Sequence, residues 1–100
     1  MRKEEESIVT INGVGDKFWK NREGSLHRIG GPAIEKIDGT KEWYENDKRH
    51  RIDGPAIDSS DGIKLFYLRG IYFRRKEEFF EALTDEEKSI AIFSGAFYNA

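Results

Sequence analysis

His27 and His50 are the only two imidazoles in the 100-residue chain, and each is followed directly by an arginine, Arg28 and Arg51. An imidazole can serve near neutrality as a general base or as a metal ligand, so these pairs are the first place to look for chemistry. Neither role finds its remaining members. A zinc site needs further ligands, and beyond the two histidines only scattered carboxylates are on offer. His50 with Asp53 would form an acid–base pair, yet the residue in the place of Asp53 at an offset of 23 is Gly30. Cysteine is absent, which excludes disulfides, thiolate nucleophiles and cysteine metal sites and fits a reducing cytosol. There is no nucleophile elbow, phosphate loop or metalloprotease signature, and Gly13-x-Gly15 alone does not make a nucleotide loop. These residues predict a protein that is not an enzyme and needs neither metal nor cofactor.

The spacing of the histidines has a structural explanation. At an offset of 23, His27-Arg28-Ile29-Gly30-Gly31-Pro32-Ala33-Ile34 aligns with His50-Arg51-Ile52-Asp53-Gly54-Pro55-Ala56-Ile57, identical at seven of eight positions. The same offset pairs Asp38-Gly39 with Asp61-Gly62, Lys41 with Lys64, Trp43 with Phe66 and Tyr44 with Tyr67. Gly15-Asp16-Lys17-Phe18-Trp19 reads as the second half of an earlier unit, so residues 15–75 are a tandem repeat of β-hairpins. Asp-Gly tolerates the positive φ of a type I′ turn, which places turns at Asp38-Gly39 and Asp61-Gly62. The opposite turns fall near residues 22–25, 46–48 and 69–70. Pro32 and Pro55 cannot donate a ladder hydrogen bond, so each Gly-Pro marks a bulge or kink. Beside that kink the imidazole can satisfy backbone groups and the guanidinium can stack on a ring of the neighbouring strand. Alternation puts Trp19, Trp43 and Phe66 on the buried face and Tyr44 and Tyr67 on the other.

The repeat then breaks. Phe73-Arg74 stands where His-Arg belongs, and Glu77-Glu78-Phe79 where Gly-Pro-Ala belongs. Residues 76–83 have helical composition, with Phe79, Phe80 and Leu83 as an apolar face. Thr84-Asp85-Glu86-Glu87 is a capping-box pattern that starts a second helix at Asp85, with Ile90, Ile92, Phe93 and Phe97 as its apolar contacts and Gly95 as its end. The expected fold is α+β, mainly β: an antiparallel β-meander of about five or six strands, capped by two short C-terminal helices. It forms one domain, with a possible edge strand in the N-terminal segment 1–14, hairpin repeats over 15–75 and a helical cap over 76–100.

The His-Arg-Ile-x-Gly-Pro-Ala-Ile segments, each followed by Asp-Gly and then Trp-Tyr or Phe-Tyr, resemble the HRxDGPA-type repeats of small proteins of tailed bacteriophages, and are loosely similar to variant MORN repeats. The resemblance covers roughly residues 15–72. It implies a phage origin and an all-β repeat, with no activity attached. The chain departs from the pattern at Asp47, where a turn glycine is usual, and at Gly30-Gly31, where the second unit has Asp53-Gly54.

Charge narrows the possible partners. Seventeen Lys and Arg nearly balance nineteen Asp and Glu, which argues against both a general polyanion binder and a DNA mimic. The distribution is uneven along the repeat: Asp16, Asp38 and Asp61 sit in one row of turns, while Arg22, Lys48, Arg49, Arg51, Arg69, Arg74 and Arg75 cluster near the other. The expected contact surface is that basic row with its aromatic neighbours Tyr44, Tyr67, Tyr72 and Phe73. The leading expectation is a binding protein that blocks a host protein, such as a CRISPR effector or a toxin. Nucleic acid or a nucleotide is the alternative. A third possibility is self-association through an edge strand near residues 8–14, which leaves the molecule a monomer or a homodimer. Residues 1–7 lack a signal-like apolar run, and no stretch approaches the roughly 18 apolar residues of a membrane span, so the host cytoplasm is the expected location.

Overall fold

The computed structural model describes residues 7–95. Nine short strands precede two helices: β1 (Ile8–Ile11), β2 (Lys17–Lys20), β3 (Ile34–Glu35), β4 (Lys41–Glu42), β5 (Tyr44–Glu45), β6 (Lys48–Arg49), β7 (Ile57–Asp58), β8 (Lys64–Leu68), β9 (Ile71–Phe73), α1 (Lys76–Glu81) and α2 (Asp85–Phe93). Every pairing is antiparallel, and seven strands form one sheet in the order β1-β2-β3-β4-β7-β8-β9. The class is α+β and mainly β. There are more strands than the five or six expected, because Trp43 interrupts one long run into β4 and β5, and β5-β6 forms a two-stranded sheet bonded to the neighbouring units through Tyr44, Asp47 and Arg49.

The repeat motif reads out as a set of hydrogen bonds. The Ala33 carbonyl accepts from Trp19 N–H at 2.8 Å while its own N–H donates to Glu42 at 2.8 Å; Ala56 does the same with Trp43 at 2.7 Å and Leu65 at 2.8 Å. Ladder bonding thus resumes one residue after each proline, and both alanines are fully buried because the neighbouring strands close over them. The Gly-Pro segments themselves lie outside the strands, as kinks.

Turn chemistry differs from expectation in an instructive way. Only the glycine of each Asp-Gly has a left-handed backbone, Gly39 at φ 98° and Gly62 at φ 95°. Gly39 N–H donates to Lys36 and Lys36 N–H to Thr40, and Ser59, Gly62 and Ile63 repeat this geometry. These are three-residue loops ending in a glycine bulge, so the type I′ assignment at Asp38-Gly39 and Asp61-Gly62 is corrected. The two-residue turns with both residues left-handed lie in the opposite row, at Asn46-Asp47 (φ 53° and 67°) and Arg69-Gly70 (φ 49° and 85°). Asp47 stands where the next unit has Gly70, and its carboxylate accepts Leu26 N–H at 2.7 Å, a bond no glycine can offer. Its own N–H donates back to the Leu26 carbonyl at 2.8 Å.

Beyond the repeat, Leu68, Phe79, Leu83 and Ala91 form the buried core, with Ile52, Phe66, Phe73 and Phe80 packed against it. The capping box predicted at Thr84 is present in both directions, Glu87 N–H to Thr84 Oγ1 at 3.1 Å and Thr84 N–H to Glu87 Oε1 at 3.0 Å. The apolar contacts predicted for α2 are corrected. Ala91 is its buried residue, while Ile90, Ile92 and Phe93 are exposed, Phe93 at 95%. Ala91 is the residue by which α2 joins the Phe79 cluster, and the larger apolar residues of the helix point away from it. Phe97 lies outside the described residues. Among the described residues, no helix is long and apolar enough to cross a membrane.

Candidate interaction surface

Each histidine serves the next unit. His27 Nδ1 accepts from Asn46 N–H at 3.0 Å and His50 Nδ1 from Arg69 N–H at 2.9 Å, so each imidazole holds the first left-handed residue of the neighbouring two-residue turn. An accepting Nδ1 requires the neutral ring. Burial, partly opposed by Glu45, holds the pKa of His50 below its usual value, consistent with that role. Among the described residues, no group of three or more His, Asp or Glu side chains is placed to hold a metal ion.

The arginines that follow lie over the tryptophans. Arg28 Cζ stands 3.9 Å from the Trp19 ring centre and Arg51 Cζ 3.8 Å from that of Trp43. Each guanidinium also donates to a proline carbonyl at 3.1 Å, Arg28 to Pro32 and Arg51 to Pro55. A Cβ on Gly54 would lie 2.8 Å from Arg51 Cζ, and one on Gly31 3.0 Å from Arg28 Cζ, so the glycine before each proline leaves room for the charge. Asp53 adds a 2.8 Å ion pair to Arg51. Trp19 and Trp43 are therefore covered by cations instead of apolar side chains. Arg51, expected in the contact surface, is held in place by ring, carbonyl and carboxylate together.

The remaining basic residues separate by their neighbours. Arg69 pairs with Glu87 at 3.1 Å and so joins its turn to the cap of α2. That guanidinium and the Thr84 N–H offset the burial of Glu87 and hold its carboxyl below the usual range. Arg75 pairs with Glu78 at 3.4 Å, and Arg74 lies exposed beside both. Phe73, also expected to face a partner, turns inward, its ring 6.1 Å from that of Phe79. Lys48 is exposed, opposite Glu45 in the β5-β6 hairpin.

What stays on the outer face is a row. Tyr44 pairs across the hairpin with Arg49, and Tyr67 pairs across the next one with Tyr72. The Arg49 guanidinium bridges the two hairpins, 5.7 Å from the Tyr44 ring and 5.4 Å from the Tyr67 ring. Tyr67 and Tyr72 rings are 5.4 Å apart, and Tyr72 is 48% exposed. Tyr44 Oη donates to Glu42 at 3.1 Å, which fixes the ring at one end. Burial, with Glu42 next to it, raises the pKa of Tyr44, so the phenol stays protonated and able to donate. Arg49 makes no carboxylate ion pair among the described residues; its guanidinium is held by the two rings and by the Tyr44 hydroxyl. The alternation that places the tyrosines outward is legible in the sequence. The bridging by Arg49 is not, because it depends on two hairpins lying side by side.

No family model, no curated protein and no solved structure matches the chain.

Proposed function

We propose that this is a non-enzymatic protein-binding module of phage type, which engages a host protein through the row Tyr44, Arg49, Tyr67 and Tyr72 and blocks it. The observation that carries the reading is the bridging guanidinium: an exposed cation between two tyrosine rings, without a carboxylate of its own, on a hairpin pair held rigid by His27 and His50. Tyr supplies large contact area at little entropic cost and Arg a planar donor set, and both are enriched at interface hot spots. The unmet valence of Arg49 is for a carboxylate on an acidic partner surface.

Nucleic acid is the second reading, favoured by the stacking surface that the tyrosine rings offer to bases. Glu42, bonded to Tyr44, weighs against it, since that carboxylate would face a phosphate backbone at the row. Capture from bacterial lysate on the immobilised protein, repeated with Arg49→Glu, separates the two. A single stoichiometric protein retained by the wild type and lost with Arg49→Glu is the expected result. Retention that Arg49→Glu leaves unchanged, or recovery of nucleic acid alone, would overturn the protein-binding reading.

A further inference from the structure

A second concave surface lies away from the four residues of the row. A cleft of about 670 Å³ lies between the Gly-Pro loop of the first full unit and α2. Trp43, Ile29, Ile52 and Ile90 supply its apolar lining, and Glu45 and Glu86 stand among its carboxylates. Ile29 is 57% exposed and Ile90 50% exposed, so two of the four aliphatic and aromatic groups have half or more of their surface open.

Repeat symmetry indicates what such a surface accepts. Ile52 and Phe66 are the residues 23 positions after Ile29 and Trp43, and both pack against the core that α1 and α2 form with the sheet. The same surface, one unit earlier, has no helix over it. The helix that borders the cleft also presents Glu86, Ile90 and Phe93 at positions i, i+4 and i+7, one continuous stripe on the exposed side of α2.

Charge specifies the occupant further. The two lining arginines are already neutralised within the chain, Arg28 by Glu35 at 3.4 Å and Arg51 by Asp53 at 2.8 Å, and Glu87 is engaged by Arg69. Glu45 and Glu86 have no ion pair among the described residues, which leaves the cleft acidic by two charges. We infer that this cleft is a docking groove for a basic amphipathic helix of a partner protein, seated over Ile29 and against the part of Trp43 that lines the cleft beside the Arg51 guanidinium. Its apolar stripe would meet Ile29, Ile90 and Phe93, and its lysines or arginines Glu45 and Glu86. None of Tyr44, Arg49, Tyr67 or Tyr72 lines this cleft, so the inference stands or falls independently of the tyrosine row.

The test uses a synthetic helix-forming 14-residue peptide with leucine at i, i+3, i+4 and i+7 spacing and lysine elsewhere, titrated into isoleucine-methyl-labelled full-length protein. Its counterpart carries glutamate in place of lysine. Saturable shifts of the Ile29, Ile52 and Ile90 methyls with the lysine peptide are expected, with Ile8, Ile11 and Ile71 unmoved. Glu86→Lys should weaken binding at least tenfold and Ile90→Asp similarly, each with an unchanged melting temperature, while Tyr72→Ala leaves it intact. Equal binding of the glutamate peptide, shifts spread over all isoleucines, or shifts that grow with protein concentration in the absence of peptide, which would mark a second copy as the occupant, would each overturn the inference.

Discussion

Trp43 and Phe66 occupy the same place in successive units and are covered by opposite means. Over Trp43 lies a guanidinium, stacked at 3.8 Å and tied to Pro55 and Asp53. Over Phe66 lies Phe79, ring to ring at 5.0 Å, fully buried in the helical cap. A cation on an aromatic face contributes about 0.5–2 kcal/mol and tolerates water at its edge. Full burial of a phenylalanine contributes about 1.5–3 kcal/mol and needs closure on every side. The repeat can therefore propagate with modest, open units, and the array gains its main hydrophobic anchor only where the pattern is broken.

Three substitutions turn that contrast into measurement. Phe79→Ala should be the most damaging, lowering unfolding free energy by about 3–5 kcal/mol in urea denaturation, since it empties the centre of the core. A loss under about 1 kcal/mol would show that the cap does not anchor the sheet. Gly54→Ala comes next. The new Cβ must displace the Arg51 guanidinium from Trp43, at a cost of about 1–3 kcal/mol, accompanied by a change in tryptophan fluorescence. Gly13→Ala, where nothing lies within 4 Å, is the control and should be nearly silent. An equal response at both glycines would remove the stacking explanation.

A smaller effect separates the histidine link from the ring stack. The pKa of His50 is lowered in the folded state mainly by burial, so protonation favours the unfolded chain. Its contribution is complete above the ordinary value of 6.5 and is lost as pH falls from there through the lowered folded value. The Arg69 N–H should then exchange faster at pH 5 than expected from the intrinsic rate, with Gly62 N–H in the other turn row as reference. No difference between them would mean that the imidazole does not hold the turn.

Much of this was legible in the sequence, for reasons that can be named. The offset of 23, the capping box at Thr84 and the outward tyrosines follow from local rules, and the guanidinium-on-ring stack follows from a repeated His-Arg beside Gly-Pro. Local rules failed where two structures share one signal. Asp-Gly suits both a two-residue turn and a three-residue loop, and only the pairing of Lys36 with Thr40 decides. The apolar residues of α2 were read as core, but in a short helix a single alanine sufficed for contact. Arg51 belongs to the repeated His-Arg and Arg49 does not, but both fall in the same basic turn row, and only the fold sends one to the tyrosines and ties the other to a proline carbonyl.

That last pair offers the most direct test. Unfolding free energies of Arg49→Glu and Arg51→Glu, measured side by side, should differ: Arg51→Glu loses about 2 kcal/mol or more through its stack and charge-assisted bonds, whereas Arg49→Glu, with exposed tyrosine contacts alone, loses no more than about 1 kcal/mol. Equal losses would contradict the division between a repeat that builds the scaffold and a tyrosine–arginine row left free to bind.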